Sequence, residues 1–363
     1  MKTVLRILIF MWISTFVFNI NLINAQTNRM YVGTYTNGSD SKGVYVYDFD
    51  EKSSNATLVK TIPMSNPSFL SRKGNILYAV NEDTKGMLTV FDLKNDIVLN
   101  QVSTQGVHPC HISLSPKDPI AVVSNYSSGS LILYSLNSNG SIHAVDDFME
   151  FKGSSINRDR QNNSHIHSAF FSKDGAQVFV SDLGADLIYV FSIINTNGKY
   201  GLHKVGEIKT KLGGGPRHLT FSKDEKTLYS VLEMTGEIEV FQWTREGWIS
   251  KQIVPIYPAD FEGQHGGADI KIDKKGKNIY ATNRGTANIL YKYKILRDGR
   301  LMNPIYRSVN GDSPRNLSIS LNERFILISN QTTNNIVIFN YSLKLSKQGY
   351  KSIEIPKPVC VIF

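Results

Sequence analysis

Beyond its first 25 residues the chain is a succession of short runs in which apolar and polar positions alternate, separated by polar turns. Alternation with a period of two puts successive side chains on opposite faces of a strand, and aromatic and β-branched residues favour that state. "LILYSL", "LIYVFSI" and "IVIFNY" are runs of this kind, and "SKDG" and "SKDE" are turns between such runs. Long amphipathic helical patterns are absent, so the chain reads as all-β.

The runs recur in a fixed order. "PCHISLSPKDPIAVVSN" starts at residue 109, "IHSAFFSKDGAQVFVSD" at 166 and "PRHLTFSKDEKTLYSVL" at 216. "GADIKIDKKGKNIYATN" starts at 267 and "PRNLSISLNERFILISN" at 314, while "PSFLSRKGNILYAVN", from 67, is a shortened version. Successive starts lie 42, 57, 50, 51 and 47 residues apart. Units of about 50 residues with about four strands each predict β-propeller blades rather than a helical solenoid. Six units are internal. A seventh is assembled from both ends, with "RMYVGTY" and "GVYVYDFD" opening and "PKPVCVIF" closing. A closing strand from the opposite terminus removes a free sheet edge. The expected architecture is one seven-bladed β-propeller domain over residues 26–363, its ring closed by N- and C-terminal strands, with six or eight blades as alternatives.

Residues 1–25 read as a signal peptide rather than as part of the fold. Lys2 and Arg6 form a basic head, "ILIFMWISTFVF" an apolar stretch, and "INA" a small-residue cleavage site ending at Ala25. The stretch is shorter than the ~20 residues of a spanning helix. Export to the periplasm or cell exterior is expected, and tethering by an uncleaved segment is the alternative.

Charge narrows the partners. Of 40 Lys and Arg, two lie in the leader, leaving 38 against 31 Asp and Glu, or +7. The cations are scattered singly, which argues against nucleic acid and suits a pocket for a small anionic ligand. Cys110 and Cys360 either pair in an oxidising compartment or stay as two buried thiols. A monomer without a cofactor is expected.

Candidate chemistry collects at one end of the repeated hairpins. In "PRHLTFSKDEKTLYSVLE" the turn lies midway between Arg217 and Glu233, so both should meet at the hairpin's open end. Equivalent segments supply His108, His111 and Asn125; His165, His167 and Asp182; Arg217, His218 and Glu233; His265, Asp269, Asn283 and Arg284; and Arg315 with Asn330. Six of the 8 histidines fall here. Histidine and asparagine also cap strands, and an exposed Arg–Glu pair contributes only about 0–1 kcal/mol. Convergence of such groups from separate units is what favours a site. His165 and His167 share a strand face, but no cysteine or carboxylate cluster completes a metal set, so no metal is expected. "GGGP" lacks the Gly-Lys-Ser/Thr of a phosphate loop and reads as a tight turn.

"GGGPRHLTFSKDEKTLYSVLE", "SHIHSAFFSKDGAQVFVSDLGAD", "GADIKIDKKGKNIYATNRG", the opening "YVGTYT" and "GVYVYDFD", and the terminal "PKPVCVIF" resemble the seven-bladed propeller lactonase family. That family includes bacterial propeller-type 6-phosphogluconolactonases and carboxy-muconate cyclases, and the likeness covers nearly all of residues 26–363. It implies a central-channel site made of His167 (His165 as alternative), Arg217, Glu233 and Arg284. Two positions depart from the family pattern: Leu232 stands where Asn often precedes the Glu, and "NRGTAN" lacks the His that commonly follows "NRG".

The chemistry expected is lactone hydrolysis, with water attacking the ring carbonyl. Arg217 or Arg284 would stabilise the oxyanion or hold an anionic substituent, and Glu233 or His167 would take the proton. His165, His111, His218, His265, Asn125, Asp182, Asn283 and Arg315 are expected to contact substrate. A lactonising cycloisomerase and a non-catalytic ligand-binding propeller are the alternatives.

Overall fold

A computed structural model describes residues 27–343 and 350–363. The proposed signal peptide lies outside these residues. The chain forms seven four-stranded antiparallel sheets. Six are consecutive meanders. The seventh joins the C-terminal strand Pro358–Ile362 to Thr27–Thr34, followed by Gly43–Asp50 and Ala56–Pro63. The ring is thus closed by strands from both ends, as the repeats predict. Among the described residues no helix is long and apolar enough to cross a membrane.

The innermost strands are Pro358–Ile362, Pro67–Lys73, Pro109–Leu114, Ile166–Phe171, Pro216–Phe221, Gly267–Ile272 and Pro314–Ile319. Each touches the innermost strand on either side, the last returning to the first. Burial follows the layers. The second strands Ile120–Asn125, Thr227–Leu232 and Phe325–Asn330 are buried throughout, while outermost strands such as Ile97–Ser103 and Leu301–Ser308 are largely exposed.

Apolar side chains on both faces of the blades build the core between neighbours. Between the fifth and sixth blades, Tyr229, Val231, Ile238 and Val240 pack on Ile270, Ile279, Ala281 and Tyr291. Burial of one such side chain contributes about 1.5–3 kcal/mol. Blades held this way form a rigid ring on which polar groups of the innermost strands are placed.

Candidate active site

Each innermost strand joins its blade through a β-bulge. Pro67 faces Asn81 and Phe69 faces Val80, leaving Ser68 as the extra residue. The same skip passes over Cys110, His167, Arg217 and Arg315. In the first blade it passes over Val359, and in the sixth it covers Ala268 and Asp269, pairing resuming at Ile270. A bulge bends the strand and re-aims the extra side chain. One irregularity, repeated around the ring, therefore sets His167, Arg217 and Arg315 at equivalent places in three blades.

Arg217 and Glu233 meet as the hairpin arithmetic predicts. Pro216 pairs with Leu232, and Arg217 Nε donates to Glu233 Oε2 at 3.0 Å. Arg284 Nη2 donates to the same oxygen at 2.8 Å, and Arg160 Nη2 donates to Oε1 at 2.7 Å. One carboxylate is thus gripped by three guanidiniums. Burial alone would raise the pKa of Glu233, but Arg284, Arg217 and Arg160 together hold it far below the usual carboxylate range.

Local backbone fixes these groups. Arg217 Nη1 also donates to Ala268 O, and Arg284 Nε donates to Gly266 O at 3.1 Å. Gly285 follows Arg284 with φ +68°, and a Cβ there would stand 2.1 Å from Gln264 O, so the "NRG" turn needs its glycine. Gly267 is as tightly placed: its N–H donates to Glu233 O at 2.8 Å, and an added Cβ would meet Leu232 O at 2.4 Å. Gly267→Ala is expected to cost about 1–3 kcal/mol of stability through this overpacking. A thermal melt checks it, an unchanged Tm being the contrary result.

His218, beside Arg217, has its Nδ1 2.8 Å from Asp269 Oδ1. Burial and Arg217 push its pKa down to about 4, so at neutral pH this is a neutral imidazole donating to a carboxylate, not an ion pair. Burial opposes the charge of Asp269, which Lys271 at 3.1 Å, Asn316 at 2.7 Å and the Leu317 N–H at 3.1 Å stabilise, so its pKa falls. His167 is neutral too. Burial lowers its pKa well below 6.5, and Arg217, His218, Arg315 and Arg284 add to the effect.

Beneath this cluster lies a floor of rings. His111 stands 4.3 Å from Phe69, 4.8 Å from Phe170 and 5.5 Å from His218, centroid to centroid. These rings come from blades that are not all neighbours, so they meet across the middle of the ring. Arg315 holds a different wall, its guanidinium 5.3 Å over Tyr35 and 4.0 Å from Glu82, which accepts from Tyr35 Oη at 2.9 Å. Beside it opens a cavity of about 410 Å³ lined by Tyr35, Asn37, Asn66, Glu82, His108 and Tyr126.

Other expected contacts fall elsewhere. Asn125 and Asn283 are fully buried and spend their side chains on loop backbone, Asn125 Nδ2 on Thr104 O at 3.0 Å and Asn283 Nδ2 on Ile256 O at 3.2 Å. Asp182 accepts from the backbone N–H groups of His165, Gly184 and Ala185. These three tie down chain segments and do not join the cluster. His265 packs against the rings of Tyr257 and Phe261. His165 stacks on Tyr126 at 4.6 Å. Cys110 and Cys360 are both free and buried, with Cys110 Sγ 4.0 Å from His167 Nδ1. Among the described residues no group of His, Cys, Asp or Glu is arranged to hold a metal ion.

Sequence reasoning missed Arg160, which also touches Tyr126 Oη at 3.1 Å. Its loop, residues 151–165, accounts for the longest interval between repeats, and that length was the available signal. Asp186 was missed as well. Its carboxylate accepts from Ser155 Oγ and Gln161 Nε2 of that loop and from the Gly213 and Gly215 N–H groups before Arg217. One buried residue thus anchors the segments carrying Arg160 and Arg217.

A family described as Lactonase, 7-bladed beta-propeller matches residues 29–363. A protein named 6-phosphogluconolactonase from Formosa agariphila is 32% identical over 333 residues, 88% of this chain and 94% of its own. One of the same name from Bacillus subtilis is 28% identical, covering 92% and 97%. The solved structure of a Pseudomonas aeruginosa periplasmic gluconolactonase superposes with a TM-score of 0.86 at 30% identity, covering 93% of this chain and 98% of that one. With its seven closed blades and a match along the whole ring, the chain belongs to the seven-bladed β-propeller lactonase family.

Proposed function

We propose that the protein hydrolyses a sugar lactone in the channel enclosed by the innermost strands, with His167, Arg217, Glu233 and Arg284 at the reacting centre. The observation that carries this reading is the clasp of three guanidiniums on buried Glu233, on the same side of the ring as neutral His167. The relatives' names, 6-phosphogluconolactonase and gluconolactonase, supply the substrate class.

Water adds to the ring carbonyl carbon, and negative charge gathers on the carbonyl oxygen. Arg217 and Arg284 stabilise that oxyanion, a role their fixed donors suit because no reorganisation is needed as charge develops. Collapse then breaks the ring C–O bond, and the leaving alkoxide takes up a proton. His167 is the better acceptor for the proton of water. Glu233 has both oxygens engaged and a strongly depressed pKa, so it orients the arginines instead. Four guanidiniums, of Arg160, Arg217, Arg284 and Arg315, face two carboxylates, of Glu233 and Glu82, and this surplus favours an anionic substrate. In the same reading the protein is exported, which the leader and the periplasmic relative support, and works as a monomer.

The test is turnover by residues 26–363 of 6-phosphogluconolactone and gluconolactone, with spontaneous hydrolysis subtracted and a muconate cyclisation assay alongside. Opening of at least one lactone well above the spontaneous rate is expected. Cyclisation alone would place the protein with the cycloisomerases, and ligand binding without either reaction would make it a non-catalytic propeller.

A further inference from the structure

The three guanidiniums on Glu233 are not equivalent. The Arg217 side chain is 3% exposed and also bound to Ala268 O; that of Arg284 is 15% exposed and also bound to Gly266 O. The Arg160 side chain is 46% exposed, rises from a loop, and donates to Glu233 Oε1, whereas the other two arginines donate to Oε2. Its other side-chain partner, Tyr126 Oη at 3.1 Å, belongs to a residue lining the cavity of about 410 Å³. Arg160 therefore links the Glu233 carboxylate to a wall of that cavity.

Its loop is anchored from below, while its half-exposed tip is held by the side chains of Glu233 and Tyr126. Ser155 and Gln161 of the same loop are tied to Asp186, and the Gln161 N–H donates to Asn157 O at 2.6 Å. Glu233 neutralises only one of its three guanidiniums, so the cluster attracts a second anion. A half-exposed planar fork suits a phosphate or carboxylate, which it engages through paired N–H donors.

We propose that Arg160 determines substrate specificity: its guanidinium moves from Glu233 Oε1 onto the anionic oxyacid substituent of the lactone, phosphate or carboxylate, as the substrate enters. The inference rests on the lactonase reading above. Binding of the anion thereby frees Oε1 to face the reacting centre, so a charged substrate both docks on Arg160 and opens the clasp. A neutral lactone leaves Arg160 where it is.

The experiment compares wild type, Arg160→Lys and Arg160→Gln on 6-phosphogluconolactone, on a glucaric acid lactone carrying carboxylate instead of phosphate, and on gluconolactone. Arg160→Gln is expected to lower the charged-over-neutral ratio of kcat/KM at least about fivefold, mainly through KM. Arg160→Lys should retain more of that ratio than Arg160→Gln, because it keeps a point charge without the fork. The anion whose advantage disappears is the one Arg160 takes. A smaller fall for both anions overturns the proposal. Should wild type open no lactone, the hydrolytic reading fails separately, and calorimetry with 6-phosphogluconate and gluconate then decides on Arg160. Loss in Arg160→Gln of a wild-type preference for the phosphorylated acid supports the assignment. A preference that survives the substitution, or none in wild type, overturns it.

Discussion

Glu233→Gln is expected to lower kcat/KM for the lactone by roughly 10²–10³-fold while leaving a folded protein. Glutamine keeps the size of the side chain but only one acceptor oxygen, and it turns an NH2 group toward a site where guanidiniums already donate. Arg160, half exposed, can find water instead. Arg217 cannot, being almost fully buried and beside a second buried donor, Arg284. Breaking a buried pair from one side costs about 3–5 kcal/mol, within the 5–15 kcal/mol of a typical domain. Arg217 and Arg284 then lose the carboxylate that aims them, and the proposed oxyanion donors are misplaced. Steady-state kinetics on a verified lactone together with a thermal melt check both halves. Wild-type kcat/KM in the variant would remove Glu233 from the mechanism.

The architecture was legible because each blade repeats one pattern, and the repeat spacing gave the strands and their turns. The Arg217–Glu233 contact was legible for the same reason, since both residues lie equally far from one turn. The bulge was not. It depends on how an innermost strand meets its partner, and nothing in "PRH" or "HIH" marks the extra residue. The count of 16 between Arg217 and Glu233 nevertheless survives it, because Pro216 pairs with Leu232 and these two residues follow directly.

Strand-end residues misled more, because polar side chains at the end of a second strand serve two purposes. Asn125 and Asn283 look like site residues, and in the structure their Nδ2 groups hold incoming loops. Leu232 occupies the same place in the fifth blade, and a Cβ on Gly214 would lie 2.9 Å from its Cδ1. That blade's incoming loop is held by Asp186 through Gly213 and Gly215 instead. The departure from Asn therefore changes how a loop is tethered. Arg160 escaped notice because a loop's reach is decided by its anchors, and Asp186 lies beyond the segment that it fixes.

Acidification should destabilise the protein well before its carboxylates protonate. His111, His167 and His218 are buried and neutral, with pKa values lowered first by burial and then by neighbouring cations. In the unfolded chain each takes up a proton near 6.5, so between that pH and the folded value the unfolded state binds more protons. Their contribution is complete above pH 6.5 and drains away as pH falls toward the folded pKa. For His218, at about 4 in the fold, the loss amounts to about 3 kcal/mol, and the other two act in the same direction. Glu233 and Asp269 have depressed values, so their stabilisation fades only below their unfolded pKa values of 4.5 and 3.8. The expected result is a Tm that falls steeply from pH 7 to pH 4.5. His111→Phe isolates the cause. Its ring sits between Phe69 and Phe170, where a phenyl group fits the surroundings, and it accepts weakly from the Ala169 N–H at 3.4 Å. The variant should lose less Tm over that interval than wild type. Equal Tm values at pH 7 and 4.5 in the wild-type protein would mean that the imidazoles reach water in the folded state, and the neutral His167 on which the proposed proton transfer depends would go with them.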